Sequence, residues 1–280
     1  MATTIESSGT ETIQGDAGGL FLRWWRPQSV PTALVVICHG FNAHSGHVEW
    51  AAQQFVAQGY AVYAGDLRGR GHSEGERFLV EEIGDYVGDL RNFVRTAMER
   101  EPNLPVFLLG HSAGGVISAC YTLEFQDELA GFTCESFAFQ VPAPGFVLKA
   151  VEGLSHVAPH LGVLTLHNKD FSRDPAWVAM MDADPLIKDE TQPAITVAAL
   201  ARADEMLHES FPQITIPLLI LHGTEDHATV YHGSEFFHKT AGSADKTLKL
   251  YEGHFHDLLA DTGKEQVMAD IVTWIETRRN

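Results

Sequence analysis

The chain of 280 residues carries 37 acidic against 19 basic side chains, a formal net charge of −18. That balance excludes nucleic acid and other polyanions as partners, because the basic footprint their binding requires is absent, and it argues against electrostatic adhesion to an anionic membrane. Apolar content is that of an ordinary globular protein, and the length lets one α/β domain, spanning 1–280, bury a large core.

The opening MATTIESSGTETIQGD has neither a basic start nor an apolar run, so it is not expected to be a signal peptide. No run approaches the length of a membrane-spanning helix; the longest, such as ALVVIC, are strand-sized. Cys38, Cys120 and Cys134, odd in number and in apolar settings, read as buried free thiols in a reducing compartment, which makes the chain cytoplasmic. ALVVICHG, from Ala33, is a strand ending in a glycine loop, and HVEWAAQQFVAQG a helix closed by Gly59. YAVYAG is the next strand, followed by the glycine-rich loop DLRGRGHSEGER. EIGDYVGDLRNFVRTAMERE sets Tyr86, Val87, Leu90, Phe93, Val94 and Ala97 on one helical face. VFLLGHS is a strand running into a turn, GGVISACYTLEF a helix leaving it, and SFAFQVPA the following strand.

Between Val141 and Pro212 the rhythm breaks. FVLKAVEGLSHVAPHLG is amphipathic, with Phe146, Val147, Ala150, Val151 and Leu154 along one stripe, and RDPAWVAMMDADPLIKDE follows. This predicts a mainly helical insertion at about 142–212 lying over one end of the sheet as a cap. Then IPLLILHG is a strand, SEFFHKTA a short helix, KTLKLYEG a strand and EQVMADIVTWIETRR the last helix, whose basic end suits its negative dipole terminus. Strands alternating with helices predict crossover units on a mostly parallel sheet with helices on both faces.

Two stretches fit G-x-S-x-G: GHSEG at Gly71–Gly75 and GHSAG at Gly110–Gly114. A nucleophile elbow needs a buried strand before the serine, a helix directly after it and small flanking residues. Ser112 meets all three demands. Ser73 does not, because Arg68 and Arg70 precede it and Glu74, Glu76 and Arg77 follow, as in a solvated loop. A serine hydroxyl needs a base to take its proton, and the base needs an acid to hold its tautomer. On this fold the order is serine, acid, histidine. The loop after LLILHG offers Glu225 or Asp226, and the loop after the last strand offers His254 or His256; spacing alone leaves both choices open. An oxyanion hole needs two backbone N–H groups. Ala113, after the serine, supplies one, and Phe41 in HGF after ALVVIC the other. A metal enzyme built on His254-Phe255-His256-Asp257 lacks any supporting H-E-x-x-H helix or cysteine cluster, so no metal is expected.

The chain resembles the α/β-hydrolase fold and, within it, the monoacylglycerol lipase and lysophospholipase-like family. HGFNAHSGHVEW resembles HGxGEHSGRY; DLRGRGHSEGER resembles DHxGHGxSEGER, which makes Ser73 part of a structural loop; GHSAGG resembles GHSMGG; ADPLI resembles SDPL; and DKTLKLYEGHFHDLL resembles DKTLKxYxGxYHxL. The resemblance places the acid on Asp226 in GTED and the base on His256 in GHFH, with His254 a neighbour that lines or packs the site. His39, Asn42, His47 and His254 are then the positions expected to meet substrate. Asn42 and Ala43 replace the family's glycine and glutamate, His47 stands where arginine is frequent, and Leu259 where animal members carry a histidine, so the glycerol-holding positions differ.

The expected activity is that of a serine carboxylester hydrolase working through an acyl-enzyme, without a cofactor. Its substrates would be monoacylglycerol-like or other monoacyl esters with an apolar acyl chain, and the cap's stripe would make transient lipid-interface contact. Thioester, polyester-oligomer or peptide hydrolysis, or binding without catalysis, are the other uses of this scaffold. Activity is expected to fall in mild acid as His256 takes up a proton.

Overall fold

ALVVIC, YAVYAG, VFLLGH and LLILHG are apolar at nearly every position, the pattern of parallel strands covered by helices on both faces. The computed structural model describes residues 5–139 and 145–279, with side chains from 7–139 and 149–279. The strands are β1 (Ile5–Gly15), β2 (Gly18–Pro27), β3 (Ala33–Cys38), β4 (Tyr60–Gly65), β5 (Val106–His111), β6 (Gly131–Glu135), β7 (Gly162–Leu164), β8 (Gln192–Pro193), β9 (Leu218–Gly223) and β10 (Lys246–Tyr251). The helices are α1 (Glu49–Ala57), α2 (Ile83–Arg100), α3 (Ala113–Phe125), α4 (Gly145–Val157), α5 (Pro175–Ala183), α6 (Ala194–Ser210), α7 (Tyr231–Thr240) and α8 (Lys264–Glu276).

Among the described residues, eight strands form one sheet in the order β1-β2-β4-β3-β5-β6-β9-β10. β1 pairs with β2, and β2 with β4, antiparallel; every other pairing within this sheet is parallel. The two faces share out the side chains of each strand. Leu34, Val36 and Cys38 pack with Leu90, Phe93, Val116 and Ile117 on one side. Val35 and Ile37 pack with Phe55, Val56, Ile271 and Trp274 on the other. Each face therefore has its own core, and the carboxyl ends of the parallel strands are left to carry loops. Cys38, Cys120 and Cys134 are free and buried.

Three local readings need correction. The hairpin of β1 and β2 went unread because its polar face, rich in Ser, Thr and Glu, dilutes the apolar signal to Leu20, Leu22 and Trp25. The strand expected at SFAFQVPA lies earlier, at GFTCE. Ser136 turns out of the sheet with φ 49°. Phe137 and Phe139, which alternate as a strand would, are buried instead by stacking on each other at 5.5 Å and packing against Phe211. The rest of that segment, Gln140–Ala143, lies outside the described residues. Finally, Ser73 is not solvated: it is 7% exposed, donates its hydroxyl to Asp66 O at 2.5 Å and accepts from Phe21 N at 2.8 Å.

β6 and β9 are sheet neighbours, so the segment between them, where the insertion is expected, leaves the sheet after β6 and rejoins it at β9. It is mainly helical, with α4, α5 and α6 and the small antiparallel pair β7–β8. The expected start of the insertion and the side chains of Phe146 and Val147 lie outside the described residues. Of the remaining stripe, Ala150 is exposed and Val151 and Leu154 are half-buried. Among the described residues no helix is long and apolar enough to cross a membrane.

Candidate active site

β5 ends at His111 and α3 begins at Ala113, so Ser112 alone makes the turn between them. It takes φ 56° and ψ −122°, a strained conformation for a residue with a side chain. The turn is tight because α3 lies close against the end of β3. A Cβ on Gly114 would stand 2.3 Å from Cys38 O, which only glycine permits. The Ser112 N–H donates to Glu135 O at 2.9 Å, fixing the serine to β6.

The Ser112 hydroxyl lies 2.8 Å from His256 Nε2, and His256 Nδ1 lies 2.7 Å from Asp226 Oδ2. Asp226 Oδ1 accepts the N–H groups of Ala228 and Thr229 at 2.8 and 2.9 Å. Its Oδ2 accepts the Thr229 hydroxyl at 2.9 Å and faces His222 Nε2 at 3.0 Å. Burial works to raise the Asp226 carboxyl, but the charge of a protonated His256 and the hydrogen bonds from His222 and His256 outweigh it and hold it well below the usual carboxylate range. His222 is held below its ordinary value, chiefly by burial. Its Nε2 faces the Asp226 carboxylate, which can only accept, so the neutral ring keeps its proton on Nε2 and its Nδ1 accepts the Ser234 hydroxyl at 2.7 Å.

The alternatives fall elsewhere. Glu225 is exposed, whereas the Asp226 side chain is 1% exposed. His254 packs on Tyr251 with ring centroids 5.5 Å apart, its Nδ1 3.7 Å from Asp261.

The loop after β3 runs directly beside the serine: a Cβ on Gly40 would lie 2.8 Å from the Ser112 Cβ. Phe41 follows, its ring against the Arg70 guanidinium at 4.2 Å. Asn42, at φ 49°, donates its N–H to Glu190 Oε1 at 3.0 Å and its amide to Leu166 O and Asn168 Oδ1, each at 3.2 Å. Arg70 and Glu190 form a fully buried ion pair, side chains 1% exposed, with the nearest atoms 2.5 Å apart. His39 hydrogen-bonds Gly40 O at 2.8 Å through Nδ1 and accepts the Leu67 N–H at 3.2 Å through Nε2. Burial is the main force lowering its pKa, to about 4, so it stays neutral. A cavity of about 60 Å³ opens beside this loop, lined by His39, Phe41, Asn42, His47, Trp177 and Asp257 among others. Of the residues expected to meet substrate, His39, Asn42 and His47 border this cavity and His254 does not.

His44 Nε2 and His47 Nε2 both reach Asp184 Oδ2, at 2.8 and 2.9 Å. Three such groups within 4.8 Å could hold a metal. However, His44 Nδ1 accepts the Gly46 N–H at 3.0 Å, so the proton of the neutral ring sits on Nε2 and no lone pair there faces an ion. The trio instead joins the loop after β3 to the insertion.

Residues 29–263 match the family model described as serine aminopeptidase, S33. The chain belongs to this family. It is 33% identical over 279 residues to a monoacylglycerol lipase of Mycolicibacterium smegmatis, covering 97% of this chain and 98% of that one. It is 32% identical over 271 residues to the monoglyceride lipase of Homo sapiens, covering 95% and 89% respectively. The crystal structure of Paleococcus ferrophilus monoacylglycerol lipase superposes with a TM-score of 0.82 at 26% identity, covering 92% of this chain and 99% of that one. The architecture is the α/β-hydrolase fold.

Within this member of the S33 family the structure adds residues that the sequence reading passed over. Asp257, Glu135 and His111 gather beside His256, and His222 backs Asp226. The signals were present: a histidine directly before Ser112, an aspartate directly after His256 and an acid at the end of β6.

Proposed function

We propose that Ser112, His256 and Asp226 are the nucleophile, base and acid of a carboxylic ester hydrolase that cleaves monoacylglycerol-like esters. The observation that carries this is the unbroken line of hydrogen bonds, 2.8 Å from Ser112 to His256 and 2.7 Å from His256 to Asp226. Asp226 keeps the His256 proton on Nδ1, leaving Nε2 free to take the proton of Ser112 as the hydroxyl attacks the ester carbonyl. The Phe41 and Ala113 N–H groups hold the tetrahedral oxyanion, helped by the amino-terminal end of α3. The alcohol leaves with the proton from His256, and water repeats the cycle on the acyl-enzyme.

The chain is a serine ester hydrolase. The family description speaks of an aminopeptidase, but the long-range relatives at 32–33% identity are lipases of monoacylglycerols. The insertion between β6 and β9 serves as the cap over the site, holding the acyl chain and making transient contact with a lipid interface. His47 and Asn42 in place of the resembled family's arginine and glycine leave a headgroup pocket of different chemistry, so glycerol is one of several alcohols the site accepts.

The test is a fluorophosphonate probe on wild type, Ser112→Ala and Ser73→Ala, with p-nitrophenyl esters of graded chain length, a 1-monoacylglycerol and an aminoacyl anilide assayed in parallel. Labelling and hydrolysis lost only in Ser112→Ala, with turnover rising toward medium or long acyl chains, supports the reading. Faster cleavage of the anilide than of the esters would overturn it in favour of peptidase action, and equal rates from acetyl to long chains would remove the acyl-binding cap.

A further inference from the structure

Ionisable groups outside the triad crowd against His256. His111 ends β5 opposite Glu135 in the β6 register, and its ring centroid lies 5.0 Å from that of His256. His111 Nε2 is 3.2 Å from Asp257 Oδ1, and polar atoms of His111, His256 and Asp257 all fall within 4.8 Å of one another. Asp257 is fixed from the insertion at two points: its N–H donates to Phe171 O at 2.7 Å, and its Oδ2 accepts from Trp177 Nε1 at 3.0 Å. The Phe171 ring packs on His256 at 5.0 Å. Glu135, 2% exposed, accepts the Leu259 N–H at 3.1 Å. The titratable groups facing His256 are therefore His111 from β5, Glu135 from β6, His222 (neutral) and Asp226 from β9 and its loop, and Asp257 beside it.

Burial acts to discharge His111. The Glu135 charge and the Asp257 carboxylate 3.2 Å away outweigh it and lift its pKa to about 9, so it is a cation at neutral pH. Burial likewise works to raise Asp257, and His111 more than offsets it, keeping that carboxylate ionised.

We propose that His111 and Asp257 are positioning residues acting on His256 as an opposed ion pair. The His111 cation disfavours a proton on the base, the Asp257 carboxylate favours it, and Asp257 also ties the base to the insertion through Trp177. The pair rests on the triad assignment above, which Ser112 labelling tests independently. Asp257 binds the insertion and feels the base at once, so seating of Trp177 and the proton affinity of His256 are coupled. A charge within about 4–6 Å moves a titration by about 1–3 units when screening is weak, and the partial exposure of both side chains, 15% and 10%, places the effect at the low end.

The experiment is kcat and KM from pH 4.5 to 9 on a water-soluble p-nitrophenyl ester for wild type, His111→Gln, Asp257→Asn, the double variant and Trp177→Phe, with fluorophosphonate labelling of each. Asp257→Asn keeps an oxygen for Trp177 and loses only charge. Its acid limb moves down by about one unit and kcat falls about three- to tenfold. His111→Gln moves the acid limb up by a similar amount, and the double variant returns toward wild type. Trp177→Phe removes the donor to Asp257 Oδ2 and moves the acid limb up by less than His111→Gln does. Limbs that move in the same direction in Asp257→Asn and His111→Gln, or stay put in both while labelling persists, overturn the proposal. A readout independent of any variant folding is a nitrogen-15 correlation spectrum of the wild type at pH 7.5. His111 with both ring nitrogens protonated supports the ion pair, and a neutral His111 ring overturns it.

Discussion

Replacing Asp226 with asparagine tests the acid's role without emptying its place. The structure dictates how the amide would sit. Asp226 Oδ1 is the acceptor for two backbone N–H groups, from Ala228 and Thr229 at 2.8 and 2.9 Å, so the amide oxygen must take that position. The NH₂ group is then forced onto the Oδ2 side, 2.7 Å from His256 Nδ1. A donor there meets Nδ1 only as an acceptor, which drives the His256 proton to Nε2, the nitrogen that has to receive it from Ser112. Wrong-tautomer substitutions of this kind cost on the order of 10⁴ in kcat, about 5.5 kcal/mol of transition-state stabilisation. We expect Asp226→Asn to fold, to keep KM within about threefold and to lose about 10⁴ in kcat on a p-nitrophenyl ester at pH 8. Fluorophosphonate labelling should slow in parallel, since it needs the same proton transfer. A loss under about a hundredfold, or one expressed mainly in KM, would refute the assignment of Asp226 as the group that sets the tautomer.

Ser73→Ala leaves the Phe21 N–H without its acceptor at the edge of the core, so unfolding in urea should show a loss of about 1–3 kcal/mol while kcat of the folded enzyme is unchanged. Glu190→Ala leaves the Arg70 charge uncompensated and removes the acceptor of the Asn42 N–H that anchors the loop after β3. Denaturant unfolding should show a loss of about 3–5 kcal/mol, with kcat falling more than KM rises if that loop carries the oxyanion donor. For His39 the folded pKa of about 4 lies below the ordinary value of 6.5, so the unfolded chain binds more protons between those limits. Its contribution is fully present above pH 6.5 and is lost as pH falls toward 4, about 2 kcal/mol between pH 7.5 and 5. Paired urea titrations of wild type and His39→Gln at those two pH values measure it, and an equal pH slope in both would contradict the assignment.

What could be read from the chain without its structure was whatever depends on local context. Ser112 stood out because a strand, a turn and a helix must be written in adjacent residues for the elbow to form, and the face of α2 from Tyr86 to Ala97 because its period lies within one segment. Asp226 and His256 were each reachable as one of two candidates at a strand end, but choosing within each pair required the resemblance, since a displacement of one or two residues decides which side chain turns inward. Phe137 and Phe139 misled because alternation records burial on one side, and aromatic stacking produces that as readily as strand pairing does. Ser73 misled because charged neighbours at Glu74 and Glu76 describe the loop's outer face and say nothing of the hydroxyl beneath it. The contacts that join the site to the insertion left no local trace at all. Arg70 meets Glu190 across 120 residues and His44 meets Asp184 across 140. Each partner alone looks like an ordinary surface charge until the fold buries it opposite its counterpart. The same holds for His111, Glu135 and Asp257, which come from three separate strand ends and acquire meaning only together. In this fold the strand ends converge on one edge of the sheet, so residues that tune the base lie far apart in the chain while the elbow remains local. Reactivity is therefore easier to read from such a sequence than the environment that adjusts it.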